Sequence, residues 1–175
     1  MKRVLVGGLG LVLLIVAVVV GIGMSLPVDH VASVRAQYAA SPPEVYEIIS
    51  DHARYPDWRP SVDRIETLPP RNGRTAWQEL GSGGPLPMER VESDPPRRMV
   101  TRILSEALPF GGSWTYELAP AGAGTQLTIT ETGEVYSPVF RFVSRFIMGH
   151  HGTATTYLED LDRRLGEDVT VEVVR

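Results

Sequence analysis

Hydrophobic and polar positions follow three regimes along this chain. Val4 to Gly23 carries no charge, no proline and no polar side chain. Coiled as a helix at about 1.5 Å per residue, such a run spans roughly 30 Å, the thickness of a bilayer's hydrocarbon core. From His30 the pattern changes to a period of two. Ala32, Val34, Ala36 and Tyr38 alternate with Val31, Ser33, Arg35 and Gln37, as in a half-buried strand. Ser41-Pro42-Pro43-Glu44 then has the form of a helix start, with Ser41 as cap, Pro42 at the first position and Glu44 reaching back. Val45, Ile48 and Ile49 give that short helix its apolar stripe. Asp51 to Trp58 reads as a second, broken turn, stopped near Pro56 and Pro60.

Strand-length runs follow at Thr75 to Leu80, Met88 to Ser93, Arg98 to Leu104, Ser113 to Leu118 and Gln126 to Glu134, with one more near Ile65 to Leu68. Asn72-Gly73 is a hairpin signal, and glycine- or proline-rich turns separate the other runs. Connections this short imply antiparallel pairing, because a parallel crossover needs a dozen or more residues. The third regime is helical. Ser137-Pro138 opens one long helix that runs to Gly166, with Val139, Val143, Phe146, Ile147, Ala154, Tyr157, Leu161 and Leu165 on one side. Arg163 and Arg164 suit its C-terminal dipole and Gly166 its terminus. The tail, 167–175, alternates valines with polar residues, and either adds an edge strand or stays unstructured.

The expected fold class is α+β: a curved antiparallel sheet wrapped around a long C-terminal helix, with two short helices after the first strand and an N-terminal transmembrane helix. For the apolar run, the competing reading is a cleaved secretory signal, whose core is shorter, about 7 to 15 residues. This run is longer and no A-x-A site follows it, so an uncleaved anchor over 4–24 is the expectation. Lys2 and Arg3 before the run and Asp29 after it orient the anchor. Residues 1–3 are then cytoplasmic, 25–29 a spacer, and the domain of 30–166 lies outside a cell membrane that the chain crosses once.

Composition narrows the function. Of 175 residues about 140 remain for the domain, enough for one core. Setting Lys2 and Arg3 aside leaves 15 basic against 21 acidic residues, the wrong sign for nucleic acid. The absence of cysteine excludes disulfides, thiolate metal sites and cysteine nucleophiles. Lys2 is the only lysine, which excludes Schiff-base chemistry in the domain. No phosphate loop, dinucleotide fingerprint or G-x-S-x-G occurs, so no cofactor and no metal is expected.

Several short motifs stand in a telling order: Ser41-Pro42-Pro43-Glu44-Val45-Tyr46, Asp51 with Arg54-Tyr55-Pro56 and Trp58, Pro109-Phe110-Gly111-Gly112-Ser113-Trp114-Thr115-Tyr116-Glu117-Leu118, and Gly124-Thr125. Over about residues 30 to 165 the chain resembles the SRPBCC superfamily, most nearly the polyketide cyclase/dehydrase-like branch of the START/Bet v 1 helix-grip fold. That resemblance implies a deep apolar cavity between the sheet and the C-terminal helix. It does not imply one activity, because members include carriers, binders and cyclases.

His150 is the sharpest candidate. On a continuous helix it lies mid-stripe among Val139, Val143, Tyr157 and Leu161, facing the cavity, where apolar surroundings favour the neutral ring. Gly149 and Gly152 flank it, each costing about 1 kcal/mol in a helix interior. Trp114 and Tyr116 share one strand face. Glu131 points inward only if the next strand keeps its alternation, and Trp77 and Glu79 pose the same question. Trp58 reads as a core plug. The expected ligand site is thus His150, Tyr116 and Glu131 for a polar end, with Trp114, Val143, Ile147 and Tyr157 along an apolar chain. The expected function is binding of a hydrophobic small molecule or lipid from the adjoining membrane. The alternative is a cyclase or dehydratase using His150 as acid/base, oriented by Glu131 or Tyr116.

Overall fold

The computed structural model describes residues 2–104 and 107–174, and the side chains of all of these except 2–7, Leu9 and Met148. Helix α1 (Lys2–Ser25) leads into β1 (Asp29–Tyr38), α2 (Pro42–Ser50) and a 3-10 turn (His52–Asp57). Six strands follow: β2 (Val62–Arg71), β3 (Arg74–Gly81), β4 (Leu86–Asp94), β5 (Arg98–Ile103), β6 (Phe110–Ala121) and β7 (Gly124–Val135). Then come α3 (Pro138–Val143), a π-helical segment (Ser144–Met148), α4 (Gly152–Leu165) and β8 (Glu172–Val173).

All the strands belong to one antiparallel sheet in the order β2-β3-β4-β5-β6-β7-β1-β8. Only β1 is out of sequence, and it closes the sheet by pairing with β7 from Asp29↔Glu134 to Tyr38↔Thr125. The Asn72-Gly73 signal is honoured: both residues take positive φ, 53° and 76°, as a tight hairpin turn demands. The tail resolves as an edge strand, with Val34↔Val173 and Arg35↔Glu172 in register.

Alternation decides what the sheet buries. Val34, Ala36 and Tyr38 of β1 and Leu127 and Ile129 of β7 turn inward onto Val45 and Ile49 of α2 and Leu158 and Leu161 of α4. Each such aliphatic side chain contributes about 1.5–3 kcal/mol when removed from water. The Tyr38 hydroxyl donates to the Leu158 carbonyl at 2.9 Å, fixing α4 across β1. This is the helix-grip arrangement, an α+β sheet around a C-terminal helix.

Three details differ from the expectations. The long C-terminal helix is broken. After α3 the backbone widens into a π turn, Gly149 takes φ 74° and ψ 159°, and helix resumes only at Gly152. Only glycine tolerates that conformation without strain, so Gly149 ends the first piece and Gly152 starts the second. Ser41 holds the cap position of α2, but its side chain makes no capping hydrogen bond. Pro43, at the second helical position, lacks one of the two N–H groups that a cap side chain binds. Finally, among the described residues no helix is long and apolar enough to cross a membrane. The side chains of 4–7 and Leu9, part of the expected anchor, lie outside them.

The C-terminal end of α1 is clamped to the domain. Arg141 of α3 donates from Nη1 to the Gly23 and Leu26 carbonyls at 3.2 and 3.1 Å. Its Nε and Nη2 donate to the Val135 and Tyr136 carbonyls, both at 3.0 Å. A guanidinium thus satisfies carbonyls at the helix end that have no intrahelical partner. Gly23 faces Pro138 so closely that any Cβ there would overlap its carbonyl.

Candidate functional site

Between the sheet and the broken helix lies a cavity of about 250 Å³. Its walls are largely apolar: Leu86 and Met88 of β4, Ile103 of β5, Phe110 and Trp114 of β6, and Phe140 of α3. Charged and polar groups gather on two flanks, one at β1 and β7, the other at β3, with three strands between them.

The first flank is built on β-register. His30 sits opposite Gly133, and Ala32 opposite Glu131. A Cβ at Gly133 would overlap the His30 ring, so the missing side chain makes room for the imidazole. His30 Nε2 lies 3.2 Å from Glu131 Oε1. The His30 ring stacks on His150 with centroids 4.0 Å apart and planes at 26°. His150 in turn lies with Nδ1 3.1 Å from Ser144 Oγ. Burial lowers the His150 pKa below the ordinary histidine value, and neighbouring His30 and Arg145 add to the shift despite Glu131. A neutral imidazole can both donate and accept a hydrogen bond.

The second flank is an ion pair. Arg59, just past the 3-10 turn, donates from Nη1 to Glu79 Oε2 at 3.1 Å. Its guanidinium lies 4.7 Å from the centre of the Tyr55 ring and 5.0 Å from that of Tyr157. Trp77 Nε1 donates to the other Glu79 oxygen at 3.2 Å. Burial opposes the Arg59 charge, but Glu79 and the surrounding tyrosines outweigh it and hold the pKa above its usual value. The Arg59 Nε is buried without a hydrogen-bond partner. Burial likewise pushes Tyr55, Tyr116 and Tyr157 upward, so these phenols stay neutral.

The cavity brings together four of the residues expected from the pattern: His150, Tyr116, Trp114 and Glu131. Glu131 does point inward, but its partner is His30, and it reaches His150 only through the ring stack. Tyr157 lies deeper, packed against Trp114 at 5.9 Å and Tyr116 at 5.5 Å, and opens instead on a second cleft shared with Arg59. Val143 and Ile147 do not line the cavity. The π turn shifts the helical phase between them and His150, and Ile147 faces outward. Trp58 is a core plug, set edge-on to Tyr55 and Tyr157.

His30, Ser144 and Arg59 were not read from the sequence, and Glu79 was left open. For His30 a signal existed: a glycine inside a strand, Gly133, marks a close approach by something large. Nothing comparable marks Arg59, whose inward aim follows from the 3-10 turn.

The family model for polyketide cyclase / dehydrase and lipid transport matches residues 29–165. The chain belongs to that family. As a polyketide cyclase/dehydrase-like SRPBCC protein, it shares its fold with a START superfamily protein from Mycobacterium smegmatis, at TM-score 0.62 and 19% identity, over 78% of this chain and 97% of the other. Norcoclaurine synthase from Thalictrum flavum is similar at TM-score 0.62 and 14% identity, over 81% and 88% of the two chains. The Zhui aromatase/cyclase from Streptomyces sp. R1128 is similar at TM-score 0.56 and 21% identity, over 79% and 90%. At these identities the likeness of this family member to each is one of fold. No protein of curated function matches the sequence.

Proposed function

We propose that this protein is held at a membrane by α1 and binds a hydrophobic small molecule or lipid in the cavity between sheet and helix. The observation that carries the reading is the cavity itself: apolar walls, with paired polar groups confined to two flanks. Burying apolar ligand surface contributes about 25 cal/mol per Å², so roughly 300 Å² supplies about 7 kcal/mol before association costs. His30, Glu131 and His150 hold a polar end, and Trp114 and Tyr116 flank the chain. The family's description includes lipid transport. For the anchor, the support is the uncharged run from Val4 to Gly23 between Lys2-Arg3 and Asp29, which puts the domain outside.

The test is to purify the full chain in detergent and analyse its organic extract by mass spectrometry. A reproducible amphiphile, displaced from a His150→Phe/His30→Phe variant, is expected; an empty protein that binds none of a panel of lipids and polycyclic compounds overturns the reading. Because the chain has no cysteine, a single Glu44→Cys variant reports topology. Labelling by an impermeant thiol reagent in intact cells is expected, and labelling only after lysis overturns the orientation.

A second reading is favoured by one observation, the His30–Glu131 contact at 3.2 Å on the cavity wall. A carboxylate that orients an imidazole is the arrangement of a general base. Solved neighbours named as an aromatase/cyclase and as norcoclaurine synthase show that enzymes use this fold. In that reading His30 rather than His150 takes the proton, because Glu131 orients His30. His30→Phe separates the two: a binder shows only weakened retention of its ligand, whereas an acid/base enzyme loses a turnover that the wild type displays.

A further inference from the structure

The segment that walls one side of the cavity also carries a cluster of exposed apolar side chains. Val139 and Phe140 of α3 are each 43% exposed, Phe146 59% and Ile147 72%. The rings of Phe142 and Phe146 pack 5.0 Å apart and leave this surface open. Large aliphatic and aromatic side chains gathered on one short segment and left exposed there mark a surface that meets another apolar phase.

Its position relative to α1 says which phase. Gly23, where the uncharged run ends, touches Pro138, and Arg141 binds the Gly23 and Leu26 carbonyls. The segment therefore starts at the outer end of α1 and is fastened there. Ile147 lies nine residues past Pro138, about 14 Å along a helix at most, comparable with the 5–10 Å that interfacial helices sink into a leaflet. Leu11 to Val16 of α1 are also exposed, so one apolar solvent would cover both elements. Arg145, exposed between Ser144 and Phe146, suits the phosphates at that depth.

We propose that the segment from Pro138 to Ile147 is seated in the outer leaflet of the bilayer, so that the cavity opens toward lipid rather than water. Phe140, Ser144, Gly149 and His150 line the cavity and belong to, or directly follow, this segment. A ligand then passes from the acyl layer into the cavity between the π turn and the sheet, and the Gly149 break supplies the hinge. The inference rests on the reading of α1 as an anchor.

The experiment uses full-length protein in phosphatidylcholine/phosphatidylglycerol vesicles, with an environment-sensitive fluorophore on single cysteines at Leu14, Ile147 or Asp63. Asp63 lies on β2, at the far edge of the sheet. Lipids brominated along the acyl chain are expected to remove most emission from Leu14→Cys and Ile147→Cys and none from Asp63→Cys. If Leu14→Cys is unquenched, the anchor fails and this proposal with it. If Leu14→Cys is quenched and Ile147→Cys emits as in water, the anchor stands and the seated segment is refuted. A blue-shifted Ile147→Cys that brominated lipid does not quench refutes it too, because a second protein surface then covers the segment.

Discussion

Glu79→Leu is expected to destabilise the fold strongly, and Arg59→Met with Glu79→Leu much less. The Arg59 and Glu79 side chains are only 12% and 10% exposed. Removing one partner of a buried pair leaves an unpaired charge, at a cost of about 3–5 kcal/mol. Glu79→Leu also strips the acceptor from Trp77 Nε1, adding about 1–3 kcal/mol. Because both side chains line a cavity that water can enter, the lower end of each range applies, about 4 kcal/mol in all. For a domain of this size such a loss lowers Tm by roughly 8–16 °C. In the double variant no charge is stranded, and exchanging a buried pair for apolar groups of similar volume is often neutral or stabilising. The assay is urea unfolding of the detergent-solubilised chain, followed by tryptophan fluorescence, for wild type, both single variants and the double. A coupling energy above about 2 kcal/mol is expected from the cycle. If Glu79→Leu costs under 1 kcal/mol, or the single effects simply add, the pair is not the buried unit described.

Gly133→Ala should push the His30 ring off its position, since the new methyl overlaps it; ligand affinity is expected to fall with little change in Tm, and unchanged affinity refutes the role of His30. Gly149→Ala places a side chain at φ 74° and ψ 159°, at a cost of about 1–3 kcal/mol, measured by the same unfolding assay. Burial lowers the pKa of His52, helped by Arg90, as it does that of His150. In the window between those depressed folded values and the ordinary value of about 6.5, the unfolded chain carries protons that the folded chain does not. Stability is therefore complete above that window and falls as pH drops through it. His52→Phe, which keeps the stack on Trp77, should flatten the dependence; an unchanged slope in a pH series of unfolding curves contradicts the assignment.

The sheet was legible because its signals are local and of period two. Alternation in β1 and β7, the Asn72-Gly73 turn and the glycine- and proline-rich breaks each act within a few residues, and antiparallel neighbours need nothing more. The C-terminal helix was legible at its ends, where Ser137 accepts from the Phe140 N–H and Gly166 takes φ 70°. Its middle was not. A constant 100° per residue carries Val143, Ile147 and His150 onto one face, and the π turn destroys that phase. Gly149 and Gly152 were visible as weak points, yet a pattern of side chains does not reveal whether two glycines bend a helix or break it. The partners of Glu131 and Glu79 were hidden for another reason. His30 and Glu131 are 101 residues apart, and only the pairing of β1 with β7 brings them together.

The pairing of the polar groups bears on what the cavity selects. His30 already has Glu131, His150 has Ser144, and Arg59 has Glu79, so the cavity wall presents little unmet polarity. A site whose polar groups are satisfied in advance does not strongly penalise a ligand that lacks a matching group. Discrimination therefore rests on shape and apolar area, where one methylene is worth about 1–3 kcal/mol. The exception is Arg59 Nε, buried and unpartnered, which gains from any ligand acceptor that reaches it. In the binding role proposed above, the cavity would accept a class of hydrophobic molecules and grade them by length and by one deep hydrogen bond. Headgroup identity at the His30 flank, where water and paired side chains compete, contributes less.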